Sequence, residues 1–398
     1  MDQAPSTGDD LSGREYTAGF SAISHPSGTL VRQLFLLFVR LGLTSFGGPA
    51  AHIAMMEEEL VMRRAWLTRE RFLDLLGITN LIPGPNSTEL AMHVGYIRAG
   101  FPGLIVAGCG FILPAVCITT LLAWGYLRFG SLPGLLGPAE GARAALLAVI
   151  AGTVVRLCRA AVKSRTLALI GCAVLAGAWL GLDELILLLA GGILGACWIA
   201  GVPRRGGVAA GLAPLALIGL IPVGSAPTLL TLGLYFLRVG ATLYGSGYVL
   251  IAFLQSELVT QRGWLTQVQL VDAIAAGQLT PGPVFSTATF VGYLLLGLPG
   301  ALVATAGIFL PAFVFVALTS PRIDRLHRGA WTRAFLDSVN VASIALIIAV
   351  AIQLGRGTLT GPWQVGIALA GAVLIVTTRV NLAWIILGGA VAGAVLLR

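Results

Sequence analysis

The sequence predicts an all-α polytopic membrane protein: an inverted-topology repeat of two homologous halves with broken or re-entrant helical hairpins. Three observations predict it. Of 398 residues, 57% are apolar and only 11% charged, where a soluble domain carries about a quarter charged. Trp66 and Trp264 stand 198 positions apart, and much else repeats at that offset. Finally, Pro-Gly-Pro occurs twice inside apolar stretches, at Pro83–Pro85 and Pro281–Pro283, where a continuous helix would otherwise run.

Residues 1–30 are polar and Ser/Gly-rich, without a basic segment leading into an apolar core. They read as a disordered cytoplasmic tail rather than a signal peptide. The first repeat, 31–202, begins with runs too short to cross singly. Leu34–Phe46 is 13 residues, about 20 Å of helix against a hydrocarbon core of roughly 30 Å. A GGP break, a mixed stretch to Met62, Phe72–Ile82, PGP and Leu90–Ile97 follow. The later runs, Phe101–Leu127, Ala144–Val155, Leu167–Leu182 and Leu185–Gly201, read as spans. A linker, 203–227, carries the short apolar segment Gly207–Ile221, suited to a single span that flips the second repeat, 228–398.

The repeat is specific. FVRLGLTSFG from Phe38 matches FLRVGATLYG from Phe236, and EELVMRRAWLT from Glu58 matches SELVTQRGWLT from Ser256. After a one-residue gap, GYIRAGFPG from Gly95 matches GYLLLGLPG from Gly292, and GFILPA from Gly110 matches GIFLPA from Gly307. Charge orients the halves. The first carries Arg32, Arg40, Arg63, Arg64, Arg69, Arg71 and Arg98 where the second has only Arg238 and Arg262. Further along the bias reverses: loop 128–143 is poor and 156–165 rich, whereas their counterparts are rich (Arg322, Arg325, Arg328, Arg333) and then poor (Arg356). Basic loops mark the cytoplasmic side, so equivalent loops face opposite ways.

Proline removes a donor and clashes one turn back, so both Pro-Gly-Pro tips must leave helical geometry. Unpaired peptide groups cost several kcal/mol in lipid and are tolerated only within protein or beside a wet cavity. The expectation is two re-entrant hairpins per half, whose tips (Ser45–Pro49, Pro83–Thr88, Tyr244–Gly247, Pro281–Thr287) meet near mid-membrane. Kinked spanning helices are the alternative. Asn86-Ser87-Thr88-Glu89 has N-cap chemistry, and a helix start facing a cavity is an anion site.

An FGGP-like turn, then E-L-x-x-x-R-x-W-L, then PGP, then Gly-Tyr and an apolar span, all in two copies, resembles the two-domain chromate ion transporter family. The likeness covers nearly the whole chain from about residue 32. It implies a secondary active transporter exporting chromate from the bacterial cytoplasm by alternating access, giving chromate resistance, with sulfate as the related oxyanion. The second copy departs from the pattern, with YGSG at Tyr244–Gly247, so the tips are not equivalent and the first half is expected to hold the more important contacts.

A tetrahedral dianion needs donors and positive potential. The candidate substrate contacts are the N–H groups of Gly47, Gly48, Gly84, Gly245 and Gly282 and the side chains of Ser45, Asn86, Ser87, Ser246, Ser286 and Thr287. The alternative for the glycines is turn formation and helix packing. Arg40 and Arg238 are paired by the repeat within apolar half-helices, where a charge is costly and functional by default. Arg64 and Arg262, beside tryptophans, read as interfacial anchors. Carboxylates suited to proton coupling are Glu59, Glu257, Asp74, Asp272 and Glu89, with His93 four residues beyond Glu89; ion pairing is the competing role. His52 is a further candidate for charge at acidic pH.

No metal, cofactor or nucleic-acid partner is expected. The basic excess, 25 Lys+Arg against 17 Asp+Glu, sits in short loops, as the positive-inside bias requires. HExxH, GxxxxGK[ST] and Cys/His clusters do not occur, and the five cysteines lie apart in apolar runs, as packing residues. The partners are the lipid bilayer of the inner membrane and the oxyanion; a homodimer is left open. A permease for sulfate or another anion, or an anion channel, is the competing reading.

Overall fold

The structure, a computed structural model, describes residues 27–201, 224, 226–244, 247–321, 329–378 and 380–396. Every regular element among them is a helix. The expected linking span Gly207–Ile221, residues 1–26, Gly245, Ser246, Arg322, Arg325 and Arg328 lie outside the described residues.

Half one opens with α1 (Gly28–Thr44), whose first turn is capped by the Ser27 hydroxyl accepting the Leu30 N–H. Gly47 and Gly48 follow at φ of 105° and 79°, conformations a side chain resists. Pro49 then starts α2 (Pro49–Glu57), proline being suited to the first helical position. A π-helical stretch, Glu58–Arg63, extends it. Beyond a turn containing Ala65 at φ 48° comes α3 (Arg69–Thr79), capped by Thr68. Helix α4 (Asn86–Phe129) begins after the first Pro-Gly-Pro and is really two helices, parted at the non-helical pair Ala99 and Gly100. α5 (Pro133–Ala161), α6 (Arg165–Trp179) and α7 (Glu184–Ala200) complete the half.

Half two repeats this order as α8 (Leu229–Thr242), α9 (Val249–Phe253) with a π-helical extension Leu254–Gln261, and α10 (Gln267–Leu279). A 3₁₀ turn, Val284–Ser286, leads into α11 (Thr287–Thr319), then α12 (Ala330–Thr358), α13 (Pro362–Thr377) and α14 (Leu382–Leu396). The irregularities repeat as well. Gly263 at φ 63° replaces Ala65, and the non-helical pair Leu296 and Gly297 replaces Ala99 and Gly100. The hairpin arms are short: α3, with 11 residues, reaches about 17 Å. Four stretches, in α4, α5, α11 and α12, are long and apolar enough to cross a bilayer.

The halves are inverted. α5 and α12 are equivalent in the repeat yet run antiparallel. Lys163, just past the end of α5, bonds Asp337 near the start of α12 at 3.0 Å. Glu140, near the start of α5, accepts from Gln364, just beyond the end of α12, at 3.1 Å. Packing follows membrane rules, in which backbone approach through small residues replaces the hydrophobic drive. A Cβ on Gly42 would stand 2.7 Å from the Phe111 carbonyl, and one on its counterpart Gly240 would overlap the Ile308 carbonyl. Large apolar side chains such as Leu121, Trp198, Leu230 and Val376 cover the outer surface. Cys117 and Cys172 are exposed, so these two are not core-packing residues as expected.

Candidate functional site

Each Pro-Gly-Pro tip meets the first tip of the opposite half across the pseudo-twofold. The Gly84 N–H donates to the Leu243 carbonyl and the Gly282 N–H to the Ser45 carbonyl, each at 2.9 Å. Leu243 is the repeat counterpart of Ser45, so the two bonds are one bond applied twice. This corrects an expectation: Gly84 and Gly282 spend their N–H groups on the opposite half instead of directing them at an anion. The reason is the accounting that forbids unpaired peptide groups away from water.

Beside the crossing lies a cavity of about 790 Å³. Phe46, Gly47, Asn86 and Ser87 line it from half one, and Tyr248, Val284 and Phe285 from half two. Arg156 on α5 and Asn340 and Ser343 on α12 form its walls. The exposed ion pair Lys163–Asp337 also borders it. The floor includes the start of α4. Its N-cap is Pro85, without a side-chain cap, which corrects the expected capping by Asn86–Glu89. The Asn86 amide instead donates to Asn80 Oδ1 at 2.6 Å. The Thr88 and Glu89 N–H groups bond the Pro85 carbonyl. Those of Asn86 and Ser87 have no carbonyl one turn back to bond, and they sit at the positive end of the helix dipole. Arg156 donates to Thr153 Oγ1 at 3.2 Å and has no carboxylate at ion-pair distance among the described residues. The cavity therefore presents a guanidinium, a helix start and the amides of Asn80, Asn86, Asn340 and Asn381, which together suit an oxyanion.

The other predicted positions fall elsewhere. Gly48 is buried within the tip next to the lining residue Gly47. Ser45 is buried behind it, its hydroxyl unpartnered. Ser286 and Thr287 are buried beyond Phe285, and Thr287 bonds the Val284 carbonyl at 2.9 Å. Arg40 is exposed and does not line the cavity. Arg238 ion-pairs with Glu257, which Arg262 also approaches at 3.5 Å. Glu59 pairs with Arg64 at 2.9 Å and with Arg63 at 3.6 Å. Asp272 holds Arg143 through two bonds of 2.6 and 2.8 Å, and Asp74 is exposed on α3. Arg64 and Arg262 each lie 5.2 Å from the ring centre of the neighbouring tryptophan, Trp66 and Trp264. His52 Nδ1 is 3.1 Å from Ser87 Oγ. Glu89 and His93 are both fully buried.

Sequence reasoning did not single out Arg156, Asn340 or Ser343. Arg156 was visible only as one of several basic residues near a loop. A usable signal was its place on one helical face with Thr153, which α5 turns inward. Asn340 and Ser343 show the same three-residue polar spacing in an otherwise apolar helix.

Inverted halves, broken hairpins that cross, and a cavity at the crossing with polar groups in an apolar lining define a polytopic membrane transporter. The chain belongs to the chromate transporter family, whose model matches residues 32–196 and again 230–394. It is similar to the chromate transport protein of Cupriavidus metallidurans, 34% identical over 95% of this chain and 96% of that one. The chromate transport protein of Pseudomonas aeruginosa is 33% identical over 82% of this chain and 81% of its own. A probable chromate transport protein of Synechococcus elongatus is 30% identical over 84% and 87%. No solved structure matches the chain.

Proposed function

We propose that this chain is a secondary active transporter that exports chromate, unchanged, across the bacterial inner membrane by alternating access around the crossed tips. The cavity described above is its cytoplasm-facing state. One observation carries the reading: the cavity runs from the basic end of α5, at Arg156 and Lys163, to the helix start at Asn86 and Ser87. By the positive-inside bias that end of α5 lies in the cytoplasm, with the N-terminus on the same side. Relatives named as chromate transport proteins supply the cargo. In the cavity Arg156, the Asn86 side chain and the two free N–H groups would replace water around the dianion. The membrane potential favours the outward direction, since each charge is worth about 2.3 kcal/mol per 100 mV.

The test is chromate uptake into inside-out vesicles or proteoliposomes. Losing a charge-assisted hydrogen bond costs about 1.5–3 kcal/mol, so Arg156→Ala should raise the half-saturating chromate concentration about 10- to 100-fold. Asn86→Ala should act in the same direction. Normal saturation in both variants would remove the site. Competition by sulfate in the same vesicles separates a chromate exporter from a general sulfate-type permease.

A further inference from the structure

The cavity's neighbourhood holds one charge-bearing group that anion binding does not use. Glu89 is 0% exposed, and both of its carboxyl oxygens lack a hydrogen-bond partner. The carboxyl lies directly over Gly84, so that a Cβ there would overlap its Oε1, and Ala312 of α11 would stand 3.3 Å from that same Cβ. One turn along α4, His93 is also 0% exposed; its Nδ1 meets Ser320 Oγ at 2.8 Å while Nε2 is unpartnered. Immediately before Glu89, the Thr88 hydroxyl is buried without a partner, and Ser87 reaches His52, whose Nε2 is likewise unpartnered.

Two features separate this cluster from ordinary ion-pair chemistry. The other buried carboxylates among the described residues, Glu59 and Glu257, each hold an arginine; Glu89 holds none. The fold itself does not require a carboxyl there, because half two has only hydroxyls, Ser286 and Thr287, at the matching turn. An ionised carboxylate without donors costs several kcal/mol inside a protein, so a group kept in this position needs a cation that comes and goes. The titratable groups around it are His93 one turn along α4 and Tyr244 from the opposite tip, whose phenol lies within Coulombic range, with His52 reached through Ser87. From α11 and its C-cap, Ala312 faces Gly84 and Ser320 faces His93.

We propose that Glu89 is a proton-binding site separate from the oxyanion cavity, with His93 and Ser320 leading away from it and Ser87 and His52 joining it to the cavity floor. A proton from water on one side adds to a carboxyl oxygen and leaves from it to water on the other as the tips rearrange. Chromate carriage is thereby linked to proton movement, a statement that rests on the transport reading above.

The test uses the full chain in two measurements. Infrared difference spectra at neutral pH, with and without chromate, should contain the C=O stretch of a protonated carboxylic acid that vanishes in Glu89→Gln. In proteoliposomes holding a pH-sensitive dye, the wild type should move protons with chromate. Glu89→Gln should carry chromate down its own gradient while losing the coupled proton signal. The neutral amide copies the protonated acid, so the variant should melt no lower than wild type. An infrared band unchanged by the substitution, a coupled proton signal that survives it, a sodium gradient replacing the proton gradient, or a variant that fails to fold would each overturn the proposal. A wild type that shows the Glu89 band but carries no chromate would instead sink the transport reading and leave the proton site standing.

Discussion

Asp272→Asn tests whether this carboxylate is structural, as its ion pair with Arg143 indicates, or carries a coupling proton. The pair joins α5 of half one to α10 of half two through two short bonds, 2.6 and 2.8 Å, and its side chains are 17% and 10% exposed. At an effective dielectric of 20 the two charges attract by about 6 kcal/mol, before the cost of removing them from water. Removing one partner of such a pair leaves the other charge buried and costs about 3–5 kcal/mol. With the unfolding entropy of a soluble chain of this length, on the order of 0.8 kcal/mol per degree, the lower figure lowers the melting temperature by about 4 °C. Helices that persist in detergent reduce that entropy and enlarge the shift. Scanning fluorimetry in detergent reads the change, and the double variant Arg143→Met with Asp272→Leu should recover most of it, because no charge is then left unpaired. If Asp272→Asn melts like wild type while abolishing chromate-coupled proton movement, the ion-pair account fails and Asp272 becomes the proton carrier.

Two further outcomes follow from the same geometry. Gly84→Ala should sharply reduce the yield of monodisperse protein in size-exclusion chromatography, because Gly84 holds φ at 144° and a Cβ would overlap the Glu89 carboxylate. Lys163→Ala should leave the melting temperature within about 1 °C of wild type, since its partner Asp337 is 40% exposed and such surface pairs contribute at most about 1 kcal/mol.

Those elements differ in how legible they were. The two halves and their inversion were readable because the membrane restricts what a sequence can do: basic residues report sidedness, and proline in an apolar run reports a break wherever it falls. The tips were readable as tips for the same reason. Their hydrogen bonding was not, because the partner of Gly84 is Leu243, more than 150 residues away and carrying nothing that marks it as an acceptor. Arg40 and Arg238 looked equivalent, yet one is exposed and the other sits on Glu257. An apolar context in sequence does not say which helical face meets lipid. Arg156 was hidden by the converse ambiguity, since a basic residue near a loop reads as a marker of sidedness whether or not its helix turns it into a cavity.

The departures from symmetry bear most directly on the transport cycle. The backbone repeats in the positive-φ pairs Ala65 and Gly263, Gly84 and Gly282, and Gly100 and Gly297, and in its crossed N–H bonds, so in the proposed cycle an outward-facing state is formed by the two halves exchanging roles. The side chains do not repeat. Asn86, Ser87 and Arg156 line the present cavity together with Val284 and Phe285, the counterparts of the first two, whereas the counterpart of Arg156 is Gln353. A cavity formed by exchange of the halves would again be lined by both tips but would hold Gln353 where Arg156 now stands, and Arg143, the counterpart of Asn340, is held by Asp272, so it would offer an anion no free guanidinium. An oxyanion loaded on the first arrangement would lose affinity on passing to the second. In the proposed cycle, release on the far side then follows from the unequal divergence of α5 and α12, two copies of one helix.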